Sequence, residues 1–109
     1  MAKNDQIINA PRRGVRSITL YDRETESDSS HESVTLKDDG SLVIAGHDVG
    51  QAPEEFFGQS EYEYWRTVAG DDVPRLLLGL MQERFSSHAE IQAWLEANGI
   101  KSEFFSWNS

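Results

Sequence analysis

The chain has 109 residues, a net charge of −9 and no cysteine. That is room for one small domain and one core. It excludes a disulfide framework, a thiolate metal centre, an iron–sulfur cluster and a cysteine nucleophile.

The charge is unevenly spread. Met1 to Arg16 holds four bases against one acid, Ser17 to Asp72 holds 14 acids against three bases, and Val73 to Ser109 is almost balanced. An acidic field of this kind repels nucleic acid and membrane surfaces and speeds encounter with basic ones. No apolar run reaches the roughly 18 residues of a membrane span. The N-terminal stretch has no apolar signal region, so the expected compartment is the cytoplasm.

Residues 1–15 read as a polar, basic arm carrying Arg12 and Arg13, and 16–109 as a single α+β domain that opens at Arg16. Ile18 and Leu20 alternate with Thr19 and Tyr21, the period of a strand. Glu24 to Ser30 has three acids, three serines and no aliphatic residue, the composition of an exposed loop. A second strand is expected over His31 to Lys37 and a third over Ser41 to Gly46. Asp38-Asp39-Gly40-Ser41 joins them as a tight turn in which glycine supplies a positive φ.

His47 to Gly58 reads as a loop, with a helical turn near Pro53 to Phe57. Glu61 to Ala69 reads as a fourth strand, with Tyr62, Tyr64 and Val68 on one face and Glu61, Glu63, Trp65 and Thr67 on the other. Asp71 or Asp72 then opens a helix with Pro74 in its first turn. Val73, Leu76, Leu77, Leu80 and Met81 form its apolar stripe. Ser87-His88-Ala89-Glu90 is a capping box for a second helix, which Asn98-Gly99 closes. Ile100 to Trp107 alternates again and reads as a last strand. The predicted order is β-β-β-β-α-α-β: a mainly antiparallel sheet of four to five strands with two helices packed on one face.

Candidate chemistry is sparse. His31, His47 and His88 have no metal-ligand spacing, and no cofactor or metal is expected. His47-Asp48, between Gly46 and Gly50, could form an acid–base couple in a small enzyme or enzyme subunit. A third, orienting group is missing from the pattern. Gly58-Gln59-Ser60 starts like a nucleophile elbow, but Tyr62 stands where the closing glycine is needed. Phosphate-loop, dinucleotide and calcium-loop patterns are absent. The expectation is a non-enzyme.

What stands out instead is acidity beside aromatics. Glu24, Glu26, Asp28, Asp38, Asp39, Glu61 and Glu63, with Trp65, are the candidate partner-binding residues for a basic protein surface, such as a toxin, a nuclease or a nucleic-acid-binding protein. Phe105 and Trp107 share a predicted strand face and could bury themselves in a homodimer. In size, charge and architecture the body of the chain resembles bacterial immunity proteins, small acidic α+β domains that neutralise a toxin. Phage-encoded inhibitors that imitate nucleic acid are similar. The resemblance implies protein binding and inhibition, and no motif carries individual residue roles across.

Overall fold

A computed structural model describes residues 10–58 and 60–107. The first nine residues of the basic arm and Gln59 of the elbow-like triplet lie outside the described residues. So do the side chains of Glu54, Phe56 and Phe57, and with them the aromatic pair of that loop.

The elements run β1 (Ser17–Glu24), β2 (Asp28–Leu36), β3 (Leu42–Gly50), α1 (Gln51–Phe57), β4 (Glu61–Val68), a 3-10 turn (Gly70–Asp72), α2 (Val73–Arg84) and α3 (His88–Ala97). The four strands form one antiparallel sheet in the order β1-β2-β3-β4. A sheet followed by helices is the α+β class expected from the pattern. No helix among the described residues is long and apolar enough to cross a membrane. The described residues divide into two compact units, one from Arg12 to Leu76 around the sheet and one from Leu77 to Trp107 with Ala10 and Pro11.

In the sheet unit, local chemistry sets the hairpins. The Lys37 N–H donates to the Ser41 carbonyl at 2.8 Å and the Gly40 N–H to the Lys37 carbonyl at 3.0 Å. Asp38, Asp39 and Gly40 therefore make a three-residue loop, closed by Gly40 at φ 89°, the type I turn with a glycine bulge. Asp39 holds it from inside, accepting from the Ser41 N–H at 2.9 Å and the Ser41 hydroxyl at 2.6 Å.

The expected Glu24–Ser30 loop is much shorter. Both strands extend into it, leaving only Thr25-Glu26-Ser27, because Thr25 and Asp28 close the turn through backbone and hydroxyl bonds. At the other end of β3, His47 and Asp48 lie in the strand, not in a loop. The ladder to β2 and β4 supports polar residues there that propensity alone would not. β1 carries a bulge between Thr19 and Tyr21, so Tyr21 joins the face of Ile18. Simple alternation placed those two on opposite faces.

In the helical unit, Ser87 caps α3 by accepting from the Glu90 N–H at 3.2 Å. The returning Glu90 carboxylate reaches the N–H and hydroxyl of Ser86, one residue earlier than an ideal capping box. Ser87→Ala is expected to cost about 1 kcal/mol of helical-unit stability, read by urea unfolding; a change within error would show that Ser86 alone holds the cap. Leu77, Leu80, Met81 and Phe85 of α2 and its C-terminal end face Ile91, Trp94 and Leu95 of α3 around an apolar groove of about 450 Å³. Phe85 and Trp94 meet edge to face at 6.2 Å.

The last predicted strand does not form: Ile100 to Trp107 has no ladder partner. Alternation assigns faces, but a strand exists only through its hydrogen-bonded neighbour. The segment instead lies along α3, with Phe104 stacked on His88 at 5.8 Å. Phe105 and Trp107 are 85% and 76% exposed.

Candidate functional site

Register decides what each face of the sheet carries. Directly opposite residues share a face. One face holds the rung Tyr21–Glu32–Gly46–Tyr64 and, beside it, Arg23–Ser30–Asp48–Tyr62. Towards the Asp38–Gly40 turn it becomes aliphatic, with Ile18, Val34, Ile44, Leu36, Leu42 and Val68. This is the tyrosine face, and α1 lies against it: Ala52 and Pro53 close a cavity of about 270 Å³ over Arg23, Asp28, Ser30 and Asp48.

The Tyr64 ring crosses Gly46 so closely that a Cβ there would stand 2.0 Å from Tyr64 Cζ. The hydroxyl ends 2.5 Å from Glu32 Oε2. That bond, then burial, pushes the phenol up to about 12. A tyrosine whose folded value is raised stabilises the fold fully below about pH 10, its unfolded value, and the gain is lost as pH rises towards 12. Wild type is therefore expected to lose stability between pH 10 and 12, and Tyr64→Phe to lose less, in urea midpoints measured across that range.

The opposite face is different in kind. Its rungs, outward from the Asp38–Gly40 turn, are Ser17–Thr35–Val43–Thr67, Thr19–Ser33–Ala45–Trp65, Asp22–His31–His47–Glu63 and Glu24–Ser29–Val49–Glu61. Four carboxylates converge at one end of this acidic face, and its strand positions contain no lysine or arginine. The arginines of the strands, Arg23 and Arg66, both sit on the tyrosine face.

In the middle, His31 stands opposite His47. His31 Nδ1 is 3.7 Å from Asp22 Oδ1. His47 Nε2 is 3.3 Å from Glu61 Oε1 and 3.6 Å from Glu63 Oε1. These are ion-pair distances, yet Nε2 is shielded from solvent and in hydrogen-bond geometry with neither. His31, Ser33, Ala45, His47, Glu63 and Trp65 line a shallow depression of about 210 Å³. The Trp65 side is open, the residue being 65% exposed. Among the described residues no group of three His, Asp or Glu side chains is placed to hold a metal ion.

The predicted binding residues divide accordingly. Glu24, Glu61, Glu63 and Trp65 come together on the acidic face, and Glu26 lies in the turn just beyond Glu24. Asp28 is on the tyrosine side and is engaged within the fold. Its carboxylate accepts from the Ala52 N–H at 2.8 Å and the Ser27 hydroxyl at 2.7 Å, which hold it below the usual carboxylate range. Asp39 is likewise held low by Ser41. Asp38, beside Arg16 at 3.7 Å, stands at the far end of the hairpin, roughly 24 Å along the strands from the Glu61 rung.

His47 and Asp48 fall on opposite faces, because neighbours in a strand always do. They cannot act on one another. Asp48 accepts a short bond from Ser30, while His47 meets the glutamates of β4. Arg16 is tied to the Leu36 and Lys37 carbonyls at 3.2 and 2.8 Å, and the Ala10 N–H donates to Asn98.

Asp22 and His31, which the sequence did not single out as binding residues, also lie on the acidic face. The signal was present: His31 and His47 are equidistant from Asp39, the middle of the three-residue turn. Comparison with known protein families, with curated proteins and with solved structures finds no match to this chain.

Proposed function

We propose that this is a small protein-binding domain that covers a basic surface of a partner with its acidic face, in the manner of an immunity protein or a nucleic-acid-mimicking inhibitor. One observation carries the reading. The register gathers Asp22, Glu24, Glu61 and Glu63 on a face that has no strand lysine or arginine, with the exposed indole of Trp65 on the adjoining rung. Uncompensated carboxylates repel one another and cost stability when the domain stands alone. Cations from a partner relieve that repulsion. Trp65 supplies what charge lacks, a rigid apolar anchor that can also take a guanidinium on its ring.

Polar contacts of this sort fix orientation and speed encounter, and the buried aromatic slows release. The partner class is therefore a protein presenting Lys and Arg, such as a toxin, a nuclease or another nucleic-acid-binding protein. The test compares the wild type with Glu61→Lys/Glu63→Lys for capture of basic proteins from native lysate and for the measured affinity of the captured protein. Capture that is indifferent to salt and to the reversal would sink the reading.

A further inference from the structure

The two histidines sit where a cation binder would not need them. They occupy adjacent central strands, directly opposite each other, in the middle of the carboxylates. Both line the depression that Glu63 and Trp65 wall. The charged groups that face them are Asp22 and Glu24 from β1 and Glu61 and Glu63 from β4; β2 and β3 contribute to this face only Ser, Thr, Val and Ala besides the histidines themselves. α1 lies against the other face of the sheet.

Imidazole is the side chain whose charge changes between roughly pH 5 and 8. Uncharged, the pair leaves four carboxylates free to meet a partner's Lys and Arg. His47 Nε2 then points, out of solvent, between two glutamate oxygens with no hydrogen bond to either. Protonated at both ring nitrogens, His47 presents an Nε2 donor and a positive charge between those carboxylates, a charge-assisted pair. His31 Nδ1 stands 3.7 Å from a single carboxylate, that of Asp22 on β1.

We propose that His31 and His47 form a proton gate on the acidic face: when protonated they line the depression with positive charge, draw Asp22, Glu61 and Glu63 into imidazolium pairs, and release the basic partner. The gate rests on the acidic-face reading above and adds its regulation. The sign is set by position. Protonation halves the net negative charge of the face and places like charge where an incoming guanidinium would sit, so binding weakens as pH falls.

The test uses the full chain and a fluorescent deca-arginine peptide as the basic probe, in low salt of about 20 mM with chelator present. Affinity is measured by anisotropy at about pH 8 and about pH 5, the two ends of the histidine range. Each protein serves as its own reference. Wild type is expected to bind about tenfold more weakly at the lower pH, and His31→Asn/His47→Asn to show less than a twofold change. The single variants His31→Asn and His47→Asn, each expected to keep part of the response, report if the double variant does not fold.

Absence of binding at pH 8, or binding that survives Glu61→Lys/Glu63→Lys, overturns the acidic-face reading and the gate with it. Binding that needs those glutamates but falls equally with pH in wild type and in the histidine variants overturns the gate alone.

Discussion

Gly46→Ala is expected to destabilise the sheet by about 2–5 kcal/mol. Gly46 is buried, and its rung neighbour Tyr64 lies across it to reach Glu32 on the far side. A Cβ would come within 2.0 Å of Tyr64 Cζ and 2.3 Å of Tyr64 Oη. No rotamer of alanine relieves that, so the ring must move. Overpacking of this kind costs about 1–3 kcal/mol. Displacing the hydroxyl also breaks its bond to Glu32, worth about 1–2 kcal/mol because one partner is charged.

Removing the ring should rescue the substitution. With Tyr64→Ala already in place, Gly46→Ala meets an open groove and gains the advantage of alanine over glycine in a strand interior, about 0.5–1 kcal/mol. A double-mutant cycle in urea, followed by circular dichroism, reads this as a large coupling. Equal costs in both backgrounds would show that the close approach of ring and glycine is not what requires Gly46.

The second large effect concerns binding. Glu61→Lys/Glu63→Lys takes the acidic face from four net negative charges to none. Affinity for the basic partner is expected to fall about tenfold to a hundredfold at low salt, mostly through slower association. The loss should shrink as salt rises and the screening length drops towards 3 Å near 1 M.

The matched control is Glu83→Lys/Glu96→Lys, which alters net charge equally from α2 and α3. If net charge alone mattered, the two pairs would act alike; if the face matters, only the first pair is costly. Trp65→Ala is expected to accelerate dissociation and leave the association rate nearly unchanged, because an apolar anchor acts after encounter. Association and dissociation rates from surface plasmon resonance separate the two. Equal effects of both charge pairs would leave the acidic face without a special role.

Much of the site was readable before any fold was known. Composition placed the acidity between Ser17 and Asp72, and alternation in Glu61–Trp65 separated the glutamates and the indole from Tyr62 and Tyr64. Ser87 and Asn98-Gly99 named the ends of α3 through capping chemistry that is local by nature. These features depend on residues a few positions apart, and the chain carries them in plain order.

Only the folded backbone decided which residues became neighbours across strands. The turn at Asp38-Asp39-Gly40 could have closed with two residues or three. With two, His31 would stand opposite Asp48; with three it stands opposite His47. A slip of one residue moves every side chain to the other face, so one backbone choice at Gly40 brings the histidines together among the carboxylates. The bulge at Thr19 to Tyr21 does the same for β1, sending Tyr21 to the tyrosine face and Asp22 to the acidic one. The predicted last strand failed for the converse reason: alternation in Ile100–Trp107 was real, but no sheet edge took it up, and Phe104 turned to His88 instead. Periodicity says which way a side chain points along its own segment. Only pairing across strands says what it meets.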